Sequence, residues 1–142
     1  MISEAGGLTD DTSRRLRGNL GGNASVQTTT DQRVWVSLPT AETFAAGRSA
    51  LTGNGSAWLD RIAAAVRENR RAEVQIVGSA DPALRGTNAE TQALDRAASA
   101  RDWMVARGIP APRMSVAGLA ARAAAAGAEP KLDILIGEPT AR

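Results

Sequence analysis

Two opposite charges are the residues of this chain best placed to do chemistry. Asp81 lies just beyond the strand-like run Glu73-Val74-Gln75-Ile76-Val77-Gly78, and Arg96 lies inside a helix-like run over 89–107. An aspartate suits an ammonium, and the planar fork of an arginine suits a carboxylate. Together they can grip a zwitterion from both ends. Loops beyond the carboxyl ends of strands are also where α/β sheets place binding sites. The plainer reading is that Asp81-Pro82 opens a turn and Arg96 is one of many helix-surface cations. A helix that starts near Asn88 carries Arg96 about 12 Å along its axis. The 79–87 loop must therefore fold back beside the helix if the two charges are to face each other across an opening sized for an amino-acid headgroup.

Other chemistry is narrowed by what the chain lacks. There is no cysteine and no histidine, so disulfides, thiolate metal sites and a Ser-His-Asp triad within the chain are excluded. Fifteen acids are scattered without two being marked out by an apolar surrounding, so a hydrolase built on paired carboxylates is a distant third reading. Gly53-Asn54-Gly55 and Gly18-Asn19-Leu20-Gly21 do not follow a strand with the full phosphate-loop pattern, and read as turns and caps. No cofactor and no metal are expected. Trp58 and Trp103 fall near apolar helix stripes and read as packing residues, whereas Trp35 is the tryptophan suited to a surface role.

The 142 residues suffice for one domain with a real core. Net charge is +2, with sixteen arginines and one lysine, Lys131, interspersed with acids. No run of like charge suggests a nucleic-acid or membrane tail. No apolar run approaches the roughly 20 residues that span a bilayer, and the start Met-Ile-Ser-Glu-Ala-Gly-Gly is not a signal peptide. If the protein works outside the cytoplasm, its export or anchoring segment is expected to lie outside this sequence.

The elements that must position Asp81 and Arg96 are legible in outline. Residues 1–9 are expected to be a flexible segment, 10–138 the domain and 139–142 a tail. A helix is predicted from Asp10 to Leu20. Two strands follow, the second with Val34, Val36 and Leu38 on one face and Trp35 on the other. Pro39 ends it, and 39–51 is expected to be irregular with Phe44 as an anchor. Thr52 is a plausible N-cap for a helix over 52–69 with the stripe Leu59, Ile62, Ala63, Val66. Thr87-Asn88-Ala89-Glu90 has capping-box spacing and predicts the start of the next helix. Gly108-Ile109-Pro110 stops that helix. Met114-Ser115-Val116 is a short strand, 120–127 a possible helical turn, and 131–137 a closing strand. The order α-β-β-α-β-α-β-β gives a two-layer α/β (α+β) sandwich.

With these residues in view, the chain resembles the cell-wall-binding domain of the OmpA/MotB family over about 10–137. The run 44–51 resembles that family's Phe-x-x-Gly-Ser-Ala-x-Leu, with one residue more. The run 74–81 is similar to its strand ending in Gly-His-Thr-Asp, and Arg96-Ala97 to the end of its Leu-Ser-x-x-Arg-Ala. The run 102–110 is close to Asp-Tyr-Leu-x-x-x-Gly-Ile-Pro, and 131–134 to Arg-Val-Glu-Ile. The family's His-Thr stands here as Ser79-Ala80, its Leu-Ser as Gln92-Ala93, and its loop asparagine falls one place from Asn88. Its late Gly-x-Gly-x-x-x-Pro loop is reduced to 118–122, and its Asn-Arg-Arg run keeps one cation, Lys131.

The resemblance implies a β-α-β-α-β-β core with an added N-terminal helix and strand. It implies a non-catalytic module that holds peptidoglycan in the periplasm of a Gram-negative-type envelope and so anchors an envelope protein to the cell wall. Asp81 and Arg96 would clamp the diaminopimelate of the stem peptide, helped by the backbone of Ala80, Pro82 and Ala83 and by Asn88. Other envelope proteins are possible partners, nucleic acid is not, and a membrane would be reached only through a segment absent from this chain. The departures from the motif motivate an alternative: a degenerate protein-interaction scaffold of the same fold that no longer binds peptidoglycan.

Overall fold

The computed structural model describes residues 4–118 and 129–138, with side chains from Thr12 onward. Five strands form one sheet: β1 (Ser25–Thr28), β2 (Val34–Pro39), β3 (Glu73–Gly78), β4 (Met114–Gly118) and β5 (Lys131–Gly137). Their order is β1-β2-β5-β3-β4. All neighbours are antiparallel except β3 and β4, which run parallel. A parallel pair needs a crossover. Here it is the long helix α4 (Gly86–Ala106), which packs on β3 and β4. Beside it lie α3 (Gly53–Glu68) and, next to α3, α1 (Glu4–Asn19).

The helices share one face of the sheet, and alternation in the strands explains why. Val34, Val36, Leu38, Val74, Ile76, Leu132, Ile134 and Ile136 are buried against Leu59, Ile62, Val66 and Met104. The intervening Trp35, Gln75 and Ser115 are exposed on the other face. Trp58 is buried, Trp103 packs half-buried at the core edge, and Trp35 is 39% exposed, its indole N–H donating to Asp133 at 3.0 Å. The mixed sheet and its helices are the two-layer sandwich expected.

Four local expectations change. The first helix begins at Glu4 rather than Asp10, running through the segment expected to be flexible. The 39–51 stretch is more regular than expected. A short helix, α2 (Thr40–Thr43), follows β2, and Phe44 bridges Leu51 in antiparallel fashion. Helix α4 begins at Gly86, ahead of Thr87-Asn88. No side chain caps it; instead the Arg85 guanidinium closes the preceding turn by donating to the carbonyls of Pro82 and Leu84. Strand β4 extends to Gly118. Thr52 does cap α3, its hydroxyl accepting from Gly55 N–H at 2.9 Å. The helical turn expected over 120–127 lies outside the described residues.

The approach of α4 to the sheet is set by small residues. Its buried stripe is Ala89, Ala93, Ala97 and Ala100, ending in Met104. A Cβ on Gly78, the last residue of β3, would run into the Ala93 carbonyl oxygen. Glycine at 78 therefore lets the helix backbone lie directly on the strand exit, one turn of helix from Arg96.

Candidate functional site

The β3 exit, helix α4 and the 44–51 hairpin converge on one side chain, Arg96. It projects from α4 at the level of Gly78 and its side chain is only 2% exposed. A buried cation needs a partner for its charge and acceptors for its N–H groups. Arg96 finds them on three segments. Nε donates to the Arg48 carbonyl at 3.0 Å, Nη1 to the Ser79 carbonyl at 3.0 Å, and Nη2 to Asp81 Oδ1 at 3.0 Å. The Phe44 ring lies 5.6 Å from the guanidinium carbon, near enough for a cation–π contact. Three of five N–H groups are thus accounted for by these bonds.

The hairpin presents its carbonyls because it is tightly closed. Ala45 N–H donates to Ala50 O and Arg48 N–H to Ala45 O, each at 2.9 Å. Gly47 takes φ +69°, a conformation open to glycine. On the β3 side, the Ser79 hydroxyl donates to the Lys131 carbonyl at 2.8 Å and ties the strand exit to the start of β5. Asp81-Pro82-Ala83-Leu84 then forms a turn closed by Leu84 N–H donating to Asp81 O at 3.0 Å, with proline in its favoured second place.

The loop folds back as the pairing requires, and the charges touch. The expected opening between them is absent: Asp81 and Arg96 form a direct ion pair at 3.0 Å, with the Asp81 side chain 35% exposed. A residue that sequence reasoning passed over completes the arrangement. Gln92 stands one turn before Arg96 on the same face of α4. Its Oε1 accepts from Asp81 N–H at 2.7 Å, and its Nε2 lies 3.3 Å from Asp81 Oδ2 and 3.4 Å from the Gly47 carbonyl. The i,i+4 spacing to Arg96 was the available signal. The Ser79, Gly47 and Arg48 carbonyls had none, because backbone acceptors carry no residue signature.

The other expected residues sit around this knot. Ala80 is half-buried between Ser79 and Asp81, while Pro82 and Ala83 form the exposed tip of the turn. Pro82 has no N–H to offer, and that of Asp81 is taken by Gln92. Asn88 is exposed in the first turn of α4 and takes no part in these hydrogen bonds. Among the described residues no cluster of acids could hold a metal ion, and no helix is long and apolar enough to cross a membrane.

A model of the OmpA family matches residues 43–133, a range that includes the hairpin, the β3 exit and α4. Among solved structures, the chain is similar to a putative MotB-like protein from Desulfovibrio vulgaris, with TM-score 0.76, 15% identity, and 98% of this chain and 96% of that one covered. It is similar to the periplasmic domain of Helicobacter pylori MotB, with TM-score 0.72, 16% identity and coverage of 84% and 82%. It is also similar to the cell wall anchor of the type VI secretion system (T6SS) from Pseudomonas aeruginosa, with TM-score 0.71, 17% identity and coverage of 93% and 97%. No curated protein matches the chain in sequence.

Proposed function

Because the chain belongs to the OmpA family, we propose that this non-catalytic structural domain binds peptidoglycan and anchors an envelope protein to the cell wall. The observation that carries the reading is the partly exposed Asp81 carboxylate just beyond the end of β3, backed by a buried arginine. In the periplasm the ligand is the stem peptide, whose diaminopimelate ends in a free amino-acid headgroup. Asp81 receives its ammonium. The headgroup's carboxylate takes the backbone N–H of Asp81, near the buried Arg96 cation. A solved structure of similar fold is itself described as a cell wall anchor, which supports the reading.

The test is co-sedimentation with purified sacculi whose stems contain diaminopimelate. The wild-type chain is expected in the pellet and Asp81→Asn in the supernatant. A stem peptide added at millimolar concentration should shift the amide resonances of 79–96, and absence of any shift would remove the site.

A second reading has its own observation. Both Asp81 oxygens and its N–H are already engaged within the chain. That is what a scaffold for other envelope proteins, one that has given up the wall, would look like. Wild-type protein left in the supernatant while another family member pellets would favour it.

A further inference from the structure

We infer that Gln92 is an internal stand-in for the ligand's headgroup, and that its departure opens the site; this rests on the wall-binding reading above. A primary amide carries an acceptor and a donor on one carbon. An amino-acid headgroup carries a carboxylate acceptor and an ammonium donor on adjacent carbons. Gln92 uses its acceptor on Asp81 N–H and aims its donor at Asp81 Oδ2. Those are the atoms that a bound headgroup would claim: a free N–H for its carboxylate and a carboxylate oxygen for its ammonium. Both cannot occupy them at once.

The placement suits a gate. Gln92 and Arg96 lie one above the other on α4, and Gln92 is half-buried where Arg96 is buried. The amide therefore lies on the solvent side of the guanidinium. It is held unevenly. The Oε1 bond is short at 2.7 Å, whereas the two Nε2 contacts, at 3.3 and 3.4 Å, are at the long end of the hydrogen-bond range. Rotation about its own side-chain bonds is enough to swing the amide outward. The Arg96 bonds to Ser79 and Arg48 do not involve Gln92 and stay in place.

The consequence is quantitative. When a site competes with its own side chain, apparent affinity is the intrinsic affinity reduced by the fraction of molecules with the site open. Removing the amide restores that fraction to one. Gln92→Leu, which cannot accept from Asp81 N–H, should bind a stem tripeptide ending in meso-diaminopimelate about tenfold more tightly than wild type.

The experiment is a pair of NMR titrations with that tripeptide, on wild type and on Gln92→Leu. Hydrogen exchange of the Asp81 amide is measured first, without peptide. Faster exchange in the variant, with an otherwise preserved amide spectrum, together with tighter peptide binding, supports the inference. If wild type binds and the variant binds no better despite a freed Asp81 amide, the stand-in idea falls and wall binding survives. If Asp81 exchange is unchanged in Gln92→Leu, the amide does not occupy the site and the inference falls by itself. If neither protein binds, the wall-binding reading falls and takes the inference with it.

Discussion

Two regions of the molecule are built from the same three parts: an arginine on α4 or at its C-cap, an acid from another segment and an aromatic ring beside the guanidinium. At the β3 exit these are Arg96, Asp81 and Phe44, with the ion pair at 3.0 Å and the ring at 5.6 Å. On the outer surface, where α4 meets α3, they are Arg107, Asp60 and Trp103, with the pair at 2.7 Å and the ring at 4.2 Å. The Trp103 indole also donates to Asp60 at 2.8 Å. By distance the surface cluster is the tighter. By surroundings it is the weaker, because its two charged side chains are 37% and 45% exposed, against 2% and 35% at the β3 exit. Water competes for every bond in the first case and for few in the second, so short distance and energetic weight part company.

Truncating each arginine in turn separates the two clusters most clearly. Arg96→Ala strips donors from the Ser79 and Arg48 carbonyls and leaves Asp81 without its cation. Removing one member of a buried pair costs about 3–5 kcal/mol, and the partial exposure of Asp81 puts the expected loss at the lower end, about 3 kcal/mol. Arg107→Ala is expected to cost about 0.5–1 kcal/mol. Urea denaturation of the two variants measures both. Equal losses would mean that burial does not separate the clusters. The same numbers govern the design of binding tests: Asp81→Asn is the better probe of the ligand site, since Arg96 is as much a tie between three segments as a ligand group.

A second variant asks whether the cluster at the β3 exit depends on backbone contact in a way the surface cluster does not. Gly78→Ala puts a methyl against the Ala93 carbonyl, and α4 has to move off β3. Overpacking of this kind costs about 1–3 kcal/mol. Because Gln92 and Arg96 ride on that helix, the amide resonances of Asp81 and Ser79 should shift with the loss of stability. A Gly78→Ala protein with native stability and unchanged 79–96 resonances would show that the close approach is dispensable.

How much of this could be read from the chain follows a physical division. Apolar alternation marked β2, β3 and β5, because a two-layer sandwich buries one sheet face and leaves the other in water. The stripe of α3 and its Thr52 cap were equally plain. Helix starts were harder. Gly6-Gly7 argues against a helix on propensity, yet α1 spans them. The capping-box spacing at Thr87 misplaced the start of α4, because the helix begins at Gly86 with no side-chain cap, behind a turn that Arg85 closes through loop carbonyls. At the site, residue types and family likeness singled out Asp81 and Arg96. Nothing in the one-dimensional pattern could show that they touch, that Gln92 bridges to the aspartate, or that the 44–51 hairpin supplies a carbonyl to the guanidinium. Those facts belong to backbone geometry.

The surface cluster also has a measurable dependence on pH and salt. Burial pushes the Asp60 carboxyl up, but hydrogen bonds from Trp103 and Arg107, with the charges of Arg107 and Arg61, outweigh it and leave the group below its ordinary value. A carboxyl whose folded value lies below its unfolded one stabilises the fold above the unfolded value, and that contribution fades as pH falls through the folded value. The surface cluster should therefore lend its support at neutral pH and lose it only in the acid range. Arg107→Ala removes one of those hydrogen bonds and one of those charges, so the Asp60 carboxyl should titrate at higher pH in the variant, as read from its side-chain carbon resonance. Added salt should narrow the stability gap between wild type and Arg107→Ala, since exposed pairs are screened. The corresponding gap for Arg96→Ala should hardly respond, because its cation is shielded from mobile ions. A salt response of similar size in both variants would contradict the idea that burial, rather than bond length, distinguishes the two clusters.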